Sequence, residues 1–428
     1  MKRDPDPVFS NQQFNNQLPE STTKFKLTSY AVSKSGALGG YPLPLLVIRG
    51  SGAVFIAAVR RSFAFTCTLL VIGWLVAAIA CVQVPAYTFW PAAFGALTLP
   101  VALLLNLLAV PYWLLRNWRV AALPLLVAVL TWPHLQRGVA LHPLRVAPTA
   151  DAPGLRVRVL SANVRIFNVY PQLRDPDLES SRKLIQWIAD NPAELICLQE
   201  FYNEPRTSTS KEKDVFNSVE RIGVRSGRQS FVSRSLTNRV GAEFGMAIFS
   251  RYPILRRGTI NFGKLTQNHA MWADLRLPNN DTVRVFNFHL QSMSLDERDI
   301  VDSYSSKAGF RNKALGLLRR FKRGMVSRSW QVDTLTRRFD RSPYPLLLCA
   351  DLNDLPYSYS YDQLADRFQN AWATVGNGVG PTYHGQLPFI RIDNQFASSQ
   401  WLVDDFWVHY EIPYSDHYPT TATYRLQK

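Results

Sequence analysis

Cysteine is scarce in this 428-residue chain, and its four cysteines are widely spaced. Cys67 and Cys81 fall in apolar N-terminal segments, while Cys197 and Cys349 fall in predicted core strands. The chain has neither a CxxC pair nor a cysteine-dense segment, which argues against a disulfide-stabilised scaffold and against a cysteine-ligated zinc site. We therefore expect buried thiols that act as small apolar side chains.

Acidic residues are also few, since 32 Asp and Glu stand against 48 Lys and Arg, for a formal charge of +16. The excess is uneven: residues 1–150 hold 12 basic and 3 acidic residues, and residues 307–341 hold 11 and 2. The rest of the second half is slightly acidic, which suits a cation site. A basic chain can indicate nucleic-acid binding, but much of this excess flanks apolar runs, as in membrane proteins.

The N-terminus lacks a secretory signal, because no basic start leads directly into an apolar run. Residues 1–36 are rich in Asn, Gln, Ser, Thr and Pro without an apolar period, so they predict disorder. We extend this disordered, basic tail to residue 62.

Long uncharged runs follow the tail. Residues 63–84 and 87–115 carry no charge and are each long enough to cross a hydrocarbon core of roughly 30 Å. Residues 120–135 are apolar but shorter and contain Pro124 and Pro133, so they predict either a third span or a re-entrant or interfacial helix. We expect about three transmembrane helices within residues 63–136 and a linker over 137–154.

Charge placement predicts the orientation of these segments. Arg49, Arg60 and Arg61 precede the first run, and Arg116 and Arg119 lie between the second and the third. Because the connection after the first run carries no charge, the positive-inside rule places the N-terminus in the cytoplasm. Three spans would put the second half of the chain outside the cytoplasm, and two would keep it inside; we expect three.

The second half contains apolar runs typical of buried strands. They cover residues 156–162, 195–199, 246–250, 271–277, 282–288, 346–350, 404–408 and 420–426, with a hairpin turn at 278–281. A helix that runs through Ile188 would begin at a cap on Asp177 or Ser180. Mixed strand directions with few helices between them indicate two sheets packed together.

Polar residues stand where several of these runs stop. Carboxylate, amide and imidazole groups on the rim of a sheet suit a hard, oxygen-ligated cation, a base for water and donors for phosphate oxygens. The residues in question are Asn163, Glu200, His289, Asp351, Asn353, Asp416 and His417.

Seven motifs occur in one order: LSANVR (160–165), CLQE (197–200), GMAIFSRYPI (245–254), FNFHLQS (286–292), ADLNDLPYS (350–358), RIDNQFAS (391–398) and SDHYP (415–419). With them, residues 155–428 resemble the endonuclease/exonuclease/phosphatase superfamily of Mg²⁺-dependent phosphoesterases. The whole layout resembles its membrane-anchored bacterial branch. The resemblance implies a four-layer α/β sandwich, with two mixed β-sheets face to face and helices outside. It also implies a multi-pass protein of the bacterial cytoplasmic membrane.

The resemblance assigns metal and base roles. It implies that Glu200 and Asn163 bind Mg²⁺, or Mn²⁺, and that Asn163 also lies beside the phosphate. Asp351 would orient and deprotonate the attacking water, and Asn353 would donate to a phosphate oxygen. Without the other motifs, DLND would favour an ordinary Asx turn, in which Asp354 is the better turn former.

The resemblance also assigns the histidines. His289 and His417 would contact phosphate, with Asp416 and Asp393 as catalytic carboxylates. Asp416, which precedes His417, or Asp393, which the resemblance also places in support of His417, would fix the tautomer of the ring and favour the imidazolium. Lone histidines are more often structural, which is how we interpret His269, His384 and His409.

Three motifs depart from the family pattern. GDFND appears as ADLND, NTHL as NFHL and RIDYIF as RIDNQF, and none of these changes removes a side chain that carries chemistry. We expect Ala350 and the Asn394–Gln395 pair to reshape the wall of the site.

The basic segment at 307–341 contains Leu315, Leu318 and Phe321 at helical spacing. It predicts either a solvated helix or a basic amphipathic helix that rests on anionic lipid or guides a phosphorylated substrate.

Three functions fit the sequence. HLQ after a strand and the predicted anchor favour a phosphoesterase that acts on a lipid or inositol-phosphate type of substrate by attack of activated water. A membrane-tethered nuclease is the first alternative; it would need aromatic and basic residues interleaved near the cleft. A catalytically silent membrane scaffold is the second, and the intact set of functional residues argues against it.

Overall fold

The computed structural model describes residues 51–142, 154–170, 173, 175–209, 212–263, 268–292, 307–385 and 390–427. Residues 1–50, which make up most of the predicted tail, and most of the predicted linker lie outside this range. Side-chain surroundings are described from Arg60 onward, with gaps.

Five helices precede the sheets: α1 (Ser51–Val82), α2 (Pro91–Leu97), α3 (Leu99–Arg116), α4 (Trp118–Leu130) and α5 (Trp132–Gly138). The sequence boundaries shift here, because residues 51–62 of the predicted tail are helical and Arg137 belongs to α5. By length and composition, Arg60–Val82 and Pro91–Arg116 are apolar enough to cross a membrane. The pair Trp118–Leu130 and Trp132–Gly138, bent by 58°, passes the same test if it acts as one span.

Two six-stranded mixed sheets follow. Sheet 1 has the order β11-β12-β1-β2-β4-β3 and sheet 2 the order β5-β6-β7-β8-β10-β9. The strands are β1 (Arg156–Asn163), β2 (Leu195–Asn203), β3 (Gln229–Thr237), β4 (Glu243–Ser250), β5 (Ile254–Asn261), β6 (His269–Arg276), β7 (Thr282–His289), β8 (Leu346–Asp351), β9 (Gln369–Asn370), β10 (Asp393–Ala397), β11 (Trp401–Val408) and β12 (Thr420–Leu426). β1 runs parallel to β2, and β7 runs parallel to β8.

The remaining helices are α6 (Glu179–Asp190), α7 (Lys213–Phe216), α8 (Lys307–Phe339), α9 (Tyr359–Ala365) and α10 (Ala371–Val375). Leu184, Ile185 and Ile188 of α6 pack on the outer face of sheet 1, with Leu198 and Phe249. Val332, Leu335 and Phe339 of α8 pack on the outer face of sheet 2, with Phe286 and Phe288. A third core, which includes Val159 and Val285, lies between the sheets. The predicted four-layer sandwich is confirmed.

Some local predictions were wrong. α6 begins after Leu178, which makes no side-chain cap, and Asp175 instead accepts a hydrogen bond from the Ser180 amide. Strands β3, β5, β9 and β10 were not predicted. β3 is half-exposed and most of β5 faces outward, so neither has the continuous apolar run of a buried strand. β9 has only two residues, and β10 is buried although its sequence is mostly polar.

Buried amides link the two sheets beneath the carboxyl ends of the strands. Gln199 Nε2 on β2 donates to Asn287 Oδ1 on β7 at 2.7 Å, and Asn287 Nδ2 donates to the carbonyls of Leu198 and Ala247 in sheet 1. Gln395 on β10 donates to Thr420 on β12 at 3.1 Å. Every partner is buried, so these hydrogen bonds form away from water.

The N-terminal helices contact the sandwich through polar groups. Asp362 of α9 is fully buried and accepts from Gln83 at 2.8 Å, and it also forms an ion pair with Arg137. Asp333 of α8 accepts from Tyr87 at 2.7 Å. These partners lie at the α1–α2 connection and in α5, so one end of the helical group is in contact with the sandwich.

Candidate active site

The candidate site lies at one open end of the sandwich, between the two sheets. Val157 and Val159 of β1, and Leu347 and Cys349 of β8, belong to the core between the sheets. Because successive strand residues alternate between faces, Asn163 and Asp351 at the strand ends face the same inner space. His289 pairs with Asp351 at the end of β7, and Asp393 pairs with Asp351 at the start of β10.

Glu200 reaches the site through a β-bulge. The pairing of β2 with β4 shifts register between Leu198 and Phe201, and Glu200 has a left-handed φ of 48°. Without the extra residue, strand alternation would turn Glu200 toward the α6 layer, where Leu198 and Phe201 pack. The bulge instead brings its carboxylate next to Asn163, with 37 % of the side chain exposed.

Asp351 is buried and held from two sides. Asn163 Nδ2 donates to its Oδ2 at 2.9 Å, and the Asn353 amide donates to its Oδ1 at 2.9 Å. Asn163 Nδ2 also donates to Glu200 Oε1 at 3.2 Å, while its own Oδ1 accepts from the Arg165 amide. The nitrogen of Asn163 therefore faces the carboxylates, which favours a donor role over the predicted role as a metal ligand.

His289 and Asn353 form the opposite side of the site. Asn353 Nδ2 lies 2.9 Å from His289 Nε2 and donates to the Leu290 carbonyl at 3.1 Å. His289 Nε2 is 3.5 Å from Asp351 Oδ2 and 3.9 Å from Glu200 Oε1. Asn353 has a φ of 49°, a conformation that asparagine tolerates better than most residues and that turns its amide toward His289.

His417 is buried beside two carboxylates. Its Nδ1 lies 2.8 Å from Asp393 Oδ2, and its Nε2 lies 3.9 Å from Asp351 Oδ2. Burial alone lowers the pKa of His417, but the charges of Asp393 and Asp351 and the hydrogen bond to Asp393 outweigh it and raise the pKa well above its usual range. The raised pKa favours the protonated ring, and its Nε2 lies on the side of Asp351.

Asp416 does not make the bond expected of the carboxylate that supports His417. Its Oδ2 lies 3.2 Å from Arg165 Nε, whereas Asp393, the other carboxylate expected to support His417, does bond it. Asp416 lies in a bend and His417 in a β-bridge with Tyr383, so the two adjacent side chains have different partners.

Arg165 is a cation at the site that the sequence analysis did not single out, although it closes the LSANVR motif. It begins four consecutive residues with left-handed φ of 46° to 53°, through Asn168. Such backbone costs about 1–2 kcal/mol per residue. It is held by hydrogen bonds from Ser181 to the Phe167 carbonyl and from Asn168 to the Tyr414 carbonyl. Strained backbone conformations that the surrounding structure stabilises are concentrated at functional sites.

Two places at the site offer carboxylate oxygens to a metal ion. Asp351, Asp393 and His417 bring one ligand atom each within 4.8 Å of one another, and Asp393 Oδ1 is buried without a hydrogen-bond partner among the described residues. A protonated His417, however, has no lone pair for a metal. Glu200 offers a partly exposed carboxylate on the open side, where an ion can keep waters and reach substrate.

The other singled-out residues have structural partners. Asn394 and Gln395 are buried, with Asn394 bonded to Asn370 and Gln395 to Thr420, so they join elements of the fold rather than line the open site. His409 lies between Glu411 and Thr421.

Family comparisons divide the chain into two parts. The model of the Endonuclease/Exonuclease/phosphatase family matches residues 160–417, and a model described as a domain of unknown function matches residues 60–138. No curated protein matches the chain.

Several solved structures are similar to the sandwich. An endonuclease/exonuclease/phosphatase from Beutenbergia cavernae is 18% identical over 64% of this chain and 72% of its own, with a TM-score of 0.44. The human nocturnin catalytic domain is 14% identical over 64% and 97%, with a TM-score of 0.44. A mannosyl-6-phosphatase from Bacteroides thetaiotaomicron is 14% identical over 63% and 99%, with a TM-score of 0.38.

The family model spans well over half of the chain, from the β1 motif that contains Asn163 to the motif that contains His417. This confirms the predicted superfamily and the predicted class of enzyme. The chain belongs to the Endonuclease/Exonuclease/phosphatase family of metal-dependent hydrolases that act on phosphate esters.

Proposed function

We propose that the chain is a membrane-anchored, Mg²⁺-dependent phosphoesterase that acts on phosphate esters of the lipid or inositol-phosphate type. The observation that carries the proposal is the hydrogen-bonded group of Asn163, Glu200 and Asp351, with His289 and His417 alongside. It combines an ion ligand, a base and donors for phosphate in one open end of the sandwich.

The ion fits at Glu200, and Mn²⁺ would suit the same oxygen donor. When bound, it would neutralise phosphate charge and stabilise charge on the leaving oxygen. Asn163 holds the Glu200 and Asp351 carboxylates side by side, so it acts as a positioning donor.

Asp351 acts as the base. It is fixed by Asn163 and by the Asn353 amide, so its carboxylate can accept the proton of an attacking water without first reorienting. His417 presents Nε2–H, and Asn353 and His289 present further polar groups toward the same space, where they can bind phosphate oxygens as negative charge grows. Water attacks phosphorus directly, so no covalent enzyme intermediate forms.

The orientation across the membrane is the second part of the proposal. Arg60, Arg61, Arg116 and Arg119 lie at one end of the helical group. The sandwich contacts the opposite end, at Gln83 and Tyr87 and through Arg137. The positive-inside rule places the end with the arginines in the cytoplasm, so the end that contacts the sandwich lies outside. This arrangement needs three crossings, in which the bent pair α4–α5 acts as one span and the sandwich is extracytoplasmic.

Hydrolysis tests the chemistry. The full chain, purified in detergent, is assayed with bis(p-nitrophenyl) phosphate, p-nitrophenyl phosphate, a phosphoinositide and single-stranded DNA. We expect activity that excess chelator abolishes and Mg²⁺ restores, with the phosphoinositide preferred over DNA. Full activity in chelator would contradict the metal requirement, and a preference for DNA would favour the tethered nuclease.

Protease accessibility tests the orientation. In intact spheroplasts, added protease should degrade the sandwich or release a fragment that begins near residue 155, and a cytoplasmic marker protein should stay intact. Complete protection until the membrane is permeabilised would mean that α4–α5 does not cross.

A further inference from the structure

The first half of α8 exposes leucines and cations on one face. Leu315 and Leu318 are 43% and 39% exposed, and Arg319, Lys322 and Arg323 are exposed beside them. These positions recur at intervals of three and four, so they form one stripe along the helix. Exposed leucines are unfavourable on a helix that faces only water, and cations are unfavourable on one that faces only hydrocarbon. A stripe that contains both suits the boundary between the two.

This half of α8 contacts the start of the second candidate span. The Phe321 ring lies 6.1 Å from the Phe94 ring of α2, and Lys322 Nζ lies 5.1 Å from the centre of the Trp90 ring. Trp90 directly precedes the candidate span Pro91–Arg116. Tryptophan and tyrosine are enriched where a span leaves the hydrocarbon, and Tyr87 is also in this connection. The stripe therefore lies level with the headgroups of the leaflet next to the sandwich.

The second half of α8 contacts residues that closely follow His289 and Asn353. Arg328 is buried and donates to the Gln291 carbonyl at 3.0 Å and to Asp354 at 3.0 Å. Gln331 accepts from the Gln291 amide at 2.9 Å. Gln291 lies two residues after His289, and Asp354 follows Asn353. One continuous helix thus joins the membrane level to the rim of the active site.

We propose that the exposed stripe of α8, formed by Leu315, Leu318, Arg319, Lys322 and Arg323, binds the headgroup layer of anionic phospholipid. The leucines enter the upper acyl region while the cations pair with lipid phosphates. Through Arg328 and Gln331 the same helix then holds the active-site rim at the bilayer surface. This inference rests on the membrane anchoring proposed above.

Anionic lipid is favoured over nucleic acid as the occupant. A nucleic-acid site would interleave the cations with aromatic rings on which bases can stack, whereas this stripe interleaves them with leucines. Lys322 of the stripe also contacts Trp90, next to the start of a candidate span, and a span of this kind is surrounded by lipid headgroups where it leaves the bilayer.

The test uses the full chain in vesicles of phosphatidylcholine, alone or mixed with phosphatidylglycerol. A bimane fluorophore is attached to Leu318→Cys, in a chain with Cys67→Ala and Cys81→Ala, and lipids that carry a headgroup spin label act as quenchers. Leu315→Cys provides an independent reporter position. We expect quenching to increase several-fold when phosphatidylglycerol is present and to decrease again at high salt.

Charge variants identify the cause. Arg319→Gln, Lys322→Gln and Arg323→Gln together should abolish the increase at both reporter positions. The control is Arg337→Gln, Arg338→Gln and Arg341→Gln, an equal loss of charge at exposed positions roughly 22 Å further along the same helix or just beyond it. It should leave the increase unchanged.

Equal quenching in both lipid mixtures would overturn the inference, and so would an increase in quenching that survives the first triple variant. A loss of the increase when an oligonucleotide is added would also overturn it, because the stripe would then prefer nucleic acid to lipid. Co-flotation with pure phosphatidylcholine vesicles is measured in parallel. A chain that fails to float would refute the anchoring itself, whereas a chain that floats without the increase refutes only the lipid contact of α8.

Discussion

The N-terminal helices and the sandwich place the same apolar residue types in opposite positions. In the helices Leu70, Leu104 and Leu115 are more than half exposed, and Leu115 reaches 87%. In the sandwich Leu160 and Leu198 are fully buried between a sheet and a helix. Apolar exposure on this scale is unfavourable in water and favourable in hydrocarbon, so the comparison supports the proposed membrane anchor.

Polar groups show the reverse pattern. The sandwich buries a set of carboxylates, amides and imidazoles at one end, and its remaining buried polar groups mostly bond to one another. The helical region presents much of its polar bonding where it contacts the sandwich, at Gln83, Tyr87 and Arg137. The contact between the regions therefore includes buried polar bonds, beside apolar contacts such as that of Phe94 with Phe321.

The largest expected effect concerns the buried polar set. Glu200→Gln and Asp351→Asn keep shape but remove charge, so each should lower hydrolysis by about 10²–10⁴, the scale of a positioned acid–base group. The rate with bis(p-nitrophenyl) phosphate measures this, and Glu411→Gln at an exposed site is the matched control. Near-normal rates in either variant would show that the buried set serves the fold rather than the chemistry.

The contact between the regions comes next. Arg137→Leu leaves the fully buried Asp362 without its cation, and breaking such a pair by removing one partner costs about 3–5 kcal/mol. Thermal unfolding of the full chain in detergent should show a clear decrease in Tm. Arg61→Leu, at the opposite end of the helices, should leave Tm unchanged. Equal shifts in both would mean that the two regions unfold independently of this contact.

A matched pair of leucines tests the comparison directly. Leu198→Ala in the sandwich should cost about 2–5 kcal/mol, because it leaves a cavity in a packed core. Leu104→Ala, on a face that is 56% exposed, should cost much less, because detergent or lipid fills the space. Comparable losses of stability would refute the assignment of the exposed face to hydrocarbon.

The smallest effect concerns His417. Its raised pKa keeps the imidazolium present at neutral pH, and the charge is lost as pH rises through that raised value. Asp393→Asn removes the neighbouring charge, which shifts a pKa by about 1–3 units, so the basic limb of the pH–rate profile should move to lower pH. Asp177→Asn, which is exposed, should not move the limb. An unchanged profile in Asp393→Asn would mean that His417 does not donate in the reaction.

Much of the fold could be predicted from runs of residues. Strands buried on both faces, such as β1, β7 and β8, have continuous apolar sequences that end near Asn163, His289 and Asp351. The half-exposed β3 and the largely exposed β5 lack that signal, and the buried β10 lacks it because its sequence is mostly polar. The packing of α8 on sheet 2 was missed because its basic residues hide the apolar face.

The candidate site was predicted less completely. Residue types at strand ends located the site, but no sequence pattern indicates that a bulge turns Glu200 inward or that Asn163 presents its nitrogen. Asp416 pairs with Arg165 rather than with His417, and this pairing depends on the left-handed turn that begins at Arg165, for which the sequence has no recognisable signal. Arg328 and Gln331 were missed because they lie in α8, well separated in sequence from Gln291 and Asp354, which they contact.

The amides that link the two sheets have a mechanical consequence. Gln199, Asn287 and Gln395 act as short struts between the layers, and opening the sandwich like a hinge would break several buried hydrogen bonds at once. The floor of the site is therefore stiff, and its depth cannot adapt to the size of a substrate. Adaptation is left to the rim, so differences in what this enzyme accepts should follow from the segments after His289 and Asn353 rather than from movement of the sheets.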